Sequence, residues 1–256
     1  MQTEENRTVS SISGVRRLGW PAIILFLPAR MVLILLSQAV AAGVLGLAGD
    51  PTPWESSQRW WMVYGTLADL GCLGLLVLLT RREGLRLRDL FGVTRQNLPR
   101  QFRAIPLYLL ASIPFVAGSA AIAIPFTGLQ SIPLQVTVVD LPAGAAWYSV
   151  IVWPVIWAIT EELVYLGFLL PRLEALTGRT WVAALVVVGM WSAQHLVIPF
   201  IADPVYLVTR FLSALVVVTG MTLVYLLLRR RLLATIVVHW IADTSTAVLA
   251  ALILAH

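Results

Sequence analysis

Glu161-Glu162, Trp191-x-x-x-His195 and His239-x-x-x-Asp243 fall in three separate apolar stretches of this chain. Each puts ionisable groups where the surrounding sequence belongs in lipid. Such a side chain near a bilayer midplane costs roughly 2.5–3.5 kcal/mol on insertion scales and by default marks a functional site. A spacing of four places His239 and Asp243 on one helix face, one turn apart, and Trp191 and His195 likewise. Glu161 and Glu162 are adjacent and point about 100° apart on a helix, so they cannot play identical roles. One can face a pocket while the other bonds a neighbouring helix. A carboxylate can serve as general base toward water. Two imidazoles can hold a metal, polarise a carbonyl or donate to an oxyanion. The combination reads as hydrolytic chemistry inside a membrane.

The composition requires that membrane. Hydrophobic residues make up 59% of the 256 and charged residues only 12%, with a mean hydropathy of +0.86. A soluble domain is about 45–50% apolar and about 25% charged. The segment lengths below predict helices rather than a barrel. The net charge of +5 comes with no lysine at all, and the arginines gather in short loops. This is a topology signal and excludes a nucleic-acid-binding reading. Cys72 is the single cysteine, so the chain can form no internal disulfide, and its place is in the core or against lipid. The N-terminal residues do not read as a secretory signal, because about 19 polar residues precede an apolar run too long for one.

The elements that must position these groups follow from the apolar runs. A polar N-terminal tail, 1–19, precedes a membrane domain, 20–256. Seven spans are predicted: 20–47 (kinked at Pro21 and Pro28), 60–80, 104–126 (bent near Pro106, Pro114 and Pro125), 144–170 (ending at Pro171-Arg172), 180–198, 204–228 and 232–255. Each is long enough to cross a hydrocarbon core of about 30 Å. Residues 81–103 carry seven arginines among Leu85, Leu87, Leu90, Phe91 and Val93, which suggests a short amphipathic helix on the membrane surface. The N-terminus, 81–103, 171–179 and 229–231 hold fifteen arginines, whereas the alternate loops 49–59, 127–143 and 199–203 hold only Arg59. The positive-inside rule then puts the N-terminus in the cytoplasm and the C-terminus outside. Trp54, Trp60, Trp61, Trp147 and Trp181 fall near span ends, as an interfacial belt requires. Counted from the basic boundaries, Glu161, His239 and Asp243 lie about 16, 12 and 18 Å deep. His195, about 24 Å from Arg179, is the outlier, unless the fifth helix begins later.

The three motifs, in this order and spacing, resemble those of the CAAX-protease and bacteriocin-processing (CPBP) intramembrane proteases. That family carries Glu-Glu-x-x-x-Arg, Phe-x-x-x-His and His-x-x-x-Asn/Asp on successive transmembrane helices. The resemblance covers about residues 140–250. It implies an all-α, polytopic membrane bundle in the cell membrane that hydrolyses peptide bonds of membrane-associated proteins or peptides. It further implies Glu161 as the residue that activates water, Glu162 as its support, and His195, His239 and Asp243 as the rest of the site. His195 and His239 would stabilise the oxyanion or hold a divalent metal such as zinc, if one is used.

Two positions depart from the pattern. The family's arginine is Leu166 here, and its phenylalanine is Trp191. Trp191 keeps an aromatic wall, but Leu166 removes a guanidinium. Arg30 and Arg210 are the candidates to replace it, with Arg30 alternatively pairing with Asp69, and Arg210 alternatively snorkelling to the outer interface. Gln194 can orient the pocket or bond a neighbouring helix. Gly167 and Gly189 are expected to serve close helix packing. Two other functions use the same residues. Buried Glu, His and Asp also build proton relays in transporters, although no inverted repeat is visible. A non-catalytic scaffold or immunity protein would tolerate Leu166.

Overall fold

The computed structural model describes residues 18–127 and 141–254, which build a bundle of helices with no strand among them. Helices α1 (Trp20–Phe26) and α2 (Ala29–Leu47) form the first span. They part at Pro28, where the missing N–H breaks the ladder, as expected. Pro21 sits instead in the first turn of α1, where it is tolerated. A short α3 (Pro53–Gln58), not anticipated in the loop, leads to α4 (Trp61–Arg82). Between α4 and α5 (Leu98–Thr127) lies only a single 3-10 turn, Leu87–Phe91. The short amphipathic helix expected there forms only as this 3-10 stretch, with Leu87, Leu90 and Phe91 packed against the core of the bundle. Gly84 and Gly92, both at positive φ, end its helical stretches, and α5 takes up 98–103 as its first turn and a half. α5 also runs unbroken through Pro106, Pro114 and Pro125, where bends were expected.

The fourth span is longer than its apolar run. It comprises α6 (Ala143–Ile151), α7 (Trp153–Glu162), a π-helical segment Leu163–Leu169, and α8 (Leu170–Thr177). Pro171 does not end it, because the proline falls in the first turn of α8, where no N–H is needed. Then come α9 (Thr180–Gln194), a 3-10 turn His195–Val197, α10 (Pro204–Leu227) and α11 (Leu232–Leu254). Among the described residues six helical stretches are long and apolar enough to cross a membrane, and Leu232–Ser245 within α11 adds a shorter apolar one. This is the polytopic helical bundle that composition requires. The polar tail to residue 17 and the loop 128–140, with Asp140, lie outside the described residues.

α7 sits at the centre, packed against α4 on one side and α11 on the other. α9 reaches the π segment, and α2 lies along α4. The π segment itself is core: Leu163, Val164, Tyr165, Leu166, Phe168 and Leu169 are all buried. Outward faces are apolar, Leu25, Leu47, Leu110 and Leu185 among them, as lipid contact demands. Trp147 and Trp181 are exposed near helix ends, consistent with an interfacial belt. Trp61 is not part of it. Trp61 packs edge-on against Trp153 and Trp157 in a buried cluster. Cys72 is fully buried.

Close approaches depend on small residues. A Cβ on Gly220 of α10 would stand 2.1 Å from the Phe115 ring of α5. One on Gly167 would stand 3.0 Å from Leu232, which confirms its packing role, whereas one on Gly189 would meet nothing within 4 Å. The packing role expected of Gly189 is therefore incorrect within the chain.

Candidate active site

Five helices contribute to one buried cluster. α7 ends in Glu161 and Glu162, both buried, and the chain passes directly into the π segment. π turns recur at functional sites because they displace the register of the helix locally. α9 supplies Trp191 and Gln194, α11 supplies His239 and Asp243, α2 supplies Arg30 and α4 supplies Asp69.

Glu161 is the hub. Its Oε1 accepts from Arg30 Nη1 (2.5 Å) and from Gln194 Nε2 (2.5 Å). Its Oε2 accepts from Trp191 Nε1 (2.7 Å) and stands 3.7 Å from His239 Nε2. A carboxylate has about four acceptor sites. Three are taken, and the fourth is on Oε2, the oxygen shared with His239. Glu162 takes the other role expected of an adjacent pair: Oε1 bonds His239 Nδ1 (3.1 Å), while Oε2 is buried without a partner. His239 Nε2 is in turn 3.3 Å from Asp243 Oδ2. Thus one imidazole is bracketed by three carboxyl groups from two helices.

Arg30 is fully buried and serves two carboxylates. It donates to Asp69 Oδ1 through Nε (3.1 Å) and Nη2 (2.8 Å), to Glu161, and to Gln194 Oε1 (2.8 Å). Its guanidinium lies 3.9 Å from the ring centre of Trp157, a cation–π contact worth about 2 kcal/mol or more when desolvated. The pairing with Asp69 is therefore present, and so is the replacement cation for Leu166. Arg30 reaches Glu161 from a different helix. Gln194 does both things suggested for it. Tyr165 was missed: its hydroxyl donates to Gln194 Oε1 (2.8 Å), and its ring stacks on Trp191 (centroids 5.0 Å apart, planes 9°). Its position one turn after Glu161 is the signal that would have found it.

His195 touches this cluster only through the backbone of Trp191. α9 begins at Thr180, immediately after Arg179, so a late start does not explain its depth. The helix ends one residue before it, and His195 opens the 3-10 turn. Its Nδ1 donates to Trp191 O (2.9 Å). Trp191 and Gln194 nevertheless meet Glu161, so the two helices do cross at this level. Arg210 Nη2 donates to Ile198 O (3.0 Å), in the segment that leads into α10, and its Nε is buried.

Among the described residues no three His, Cys, Asp or Glu side chains are grouped to hold an ion. His239 has Nδ1 on Glu162, and His195 has Nδ1 on a carbonyl. A three-residue set of the kind zinc takes from protein is not assembled among the described residues.

A groove of about 1460 Å³ opens at the arginine-rich end of the bundle. Leu166 and Leu233 lie in its apolar lining, with Arg88, Glu174, Arg229 and Arg230 among its charged residues. Leu166 is one helical turn beyond Glu162 in sequence.

Residues 143–245 match the family model described as type II CAAX prenyl endopeptidase Rce1-like. This stretch is Rce1-like. The resemblance read from the three motifs is borne out over it, and with it an integral membrane setting and a peptidase family. The Rce1-like stretch spans α6 to the middle of α11 and contains all five candidate residues. It excludes Arg30 and Asp69, so the cation that serves Glu161 comes from outside the matched region. No curated protein and no solved structure matches the chain.

Proposed function

We propose that this protein is an intramembrane endopeptidase of the cell membrane, in which Glu161 activates the water that attacks a peptide carbonyl. The observation that carries the reading is the open acceptor site on Glu161 Oε2, the oxygen that also faces His239. A separation of 3.7 Å between two polar atoms is a place to look for a bridging water. Such a water hydrogen-bonds both groups. Glu161 takes its proton as the water oxygen bonds to the carbonyl carbon, and returns that proton to the amine as the C–N bond breaks. Glu162 and Asp243 orient His239, and Arg30, Gln194 and Trp191 hold Glu161 in a single position. His195 contributes through Nε2, its remaining ring nitrogen.

The substrate is a membrane-associated protein or peptide, approaching through the groove at the arginine-rich, cytoplasmic end. A prenyl group on that substrate is suggested only by the family description. A second reading, a non-catalytic scaffold, draws on the three donors already occupying Glu161. The test is a comparison of membrane-protein termini in host cells carrying wild-type or Glu161→Ala protein at equal abundance. Unprocessed precursors in the mutant alone are expected. Identical termini, with the mutant folded and present, would sink the protease reading in favour of the scaffold.

A further inference from the structure

The turn between α10 and α11 is held in an unusual shape. Arg229 and Arg230 are consecutive residues in the left-handed region, at φ 69° and 53°. Residues with a Cβ rarely adopt it, because that atom crowds the following carbonyl oxygen. Such a conformation persists where surrounding bonds over-determine it, and it gathers at ligand clamps. Here the bonds are in place. The Tyr108 hydroxyl of α5 donates to Leu228 O (2.8 Å) and accepts from Arg231 N (3.0 Å). Arg230 N donates to Tyr225 O (2.8 Å), and Arg231 Nη1 donates to Arg100 O (2.8 Å). The Arg230 guanidinium bonds both oxygens of Glu174 (2.7 and 3.0 Å). Among the described residues Arg229 alone of the three arginines has no hydrogen bond or ion pair for its guanidinium.

This turn presents Arg229 to the groove that also holds Leu166. Arg88, on the 3-10 turn, lines the same groove; its side chain is 73% exposed and reaches Asp89 only at 3.9 Å. The acids of the lining are already answered, Glu174 by Arg230 and Asp89 by the Arg86 amide (2.8 Å) and by Arg88. Between the charges the wall is apolar, with Phe91, Leu226 and Leu233 in it. Leu223, one turn before Leu226 on the same face of α10, is exposed, so this wall continues onto the lipid side of the bundle. A volume of about 1460 Å³ exceeds the roughly 300–1,000 Å³ of a small-molecule pocket. The groove lies on the side that the positive-inside rule assigns to the cytoplasm. Anionic lipids concentrate in that leaflet, and basic pockets between transmembrane helices there hold their head groups. The planar fork of an arginine matches two phosphate oxygens. A small anion would leave the apolar wall empty, and a neutral lipid would leave Arg229 unmatched.

We propose that the groove is a binding site for an anionic phospholipid, with its phosphate on Arg229 and Arg88 and an acyl chain along Phe91, Leu226 and Leu233. The site does not rest on the protease reading, because none of these residues belongs to the Glu161 cluster. Within that reading the lipid lies on the route of the substrate and competes with it.

The test is native mass spectrometry of the full-length protein in detergent, titrated with phosphatidylglycerol and, in parallel, with phosphatidylcholine. Wild type should retain phosphatidylglycerol at a single site and release phosphatidylcholine. Arg229→Gln and Arg88→Gln should each weaken retention about tenfold or more, the loss of a charge-assisted hydrogen bond. Arg95→Gln removes the same charge from an exposed position outside the lining and should stay within about twofold, since solvent screens it. Arg229 has no partner within the chain, so without lipid its variant should unfold at the wild-type temperature. The rise in that temperature on adding phosphatidylglycerol should be lost with Arg229. Equal losses in Arg95→Gln and Arg229→Gln would overturn the site in favour of diffuse attraction to the basic face. Equal retention of phosphatidylcholine would overturn it too, because charge would not be read. Precursors from Glu161→Ala cells held by wild type but not by Arg229→Gln, with no phosphatidylglycerol retained, would make the groove a peptide site and overturn the lipid assignment.

Discussion

A buried carboxylate with three donors on it is held rigidly, and what holds it determines what it can do. Around Glu161 the key group is Arg30, whose own charge is balanced by Asp69 as well as by Glu161. Removing one partner of a buried ion pair is costly because the other charge stays behind; Asp69→Ala should lower stability by about 3–5 kcal/mol. The measurement is the shift in denaturation midpoint of the detergent-solubilised protein. Asp69→Ala and Glu161→Gln both act on Arg30, so their effects should not add, with a coupling of about 0.5–3 kcal/mol. Simple additivity would mean the guanidinium does not link them. The sequence made the candidate residues legible because carboxylates and imidazoles in apolar runs stand out against their surroundings. Gln194, Tyr165 and the dual role of Arg30 were harder to see. They are ordinary polar residues on three helical elements, and only the crossing of those elements brings them together.

At the scale of helices, the spans were legible from apolar length, but their interruptions were not. Pro28 breaks the first span, yet Pro106, Pro114 and Pro125 leave α5 helical and Pro171 opens α8. Proline marks a boundary only where neighbouring helices do not hold the freed carbonyls in place. The π segment after Glu162 has no periodicity signal, since apart from the Tyr165 hydroxyl its seven residues carry no polar side-chain group. Glycine shows the same dependence on partners. Gly220→Ala should lose about 1–3 kcal/mol of stability, the usual effect of overpacking, because the Phe115 ring occupies the space the methyl would need. Gly189→Ala meets no atom within 4 Å and should gain up to about 1 kcal/mol from helix propensity. Thermal unfolding of the two variants side by side checks the pair; equal effects would contradict the packing assigned to α5 and α10.

The molecule as a whole arranges charge along the membrane normal. Its basic loops alternate with loops nearly free of arginine, and the positive-inside rule then predicts the groove by Leu166 on the cytoplasmic side. Cys72 is buried, so labelling of introduced cysteines reads this orientation directly. Cysteines at Thr52 and Thr94, both exposed, should react with an impermeant maleimide from outside and from the cytoplasm respectively; the reverse would invert the topology. The topology rested on loop charge, which is a property of the whole chain, whereas the meeting of α2 and α4 with the Rce1-like stretch left no mark in its motifs. That meeting ties Glu161 to Arg30 instead of leaving it an isolated buried acid. The most direct test of its role is isotopic. Membranes carrying wild-type or Glu161→Gln protein are incubated in water enriched in oxygen-18, and the new C-termini of membrane polypeptides are analysed by mass spectrometry. The account predicts oxygen-18 in new carboxyl termini with the wild type and none with the variant. Equal incorporation in both would contradict it.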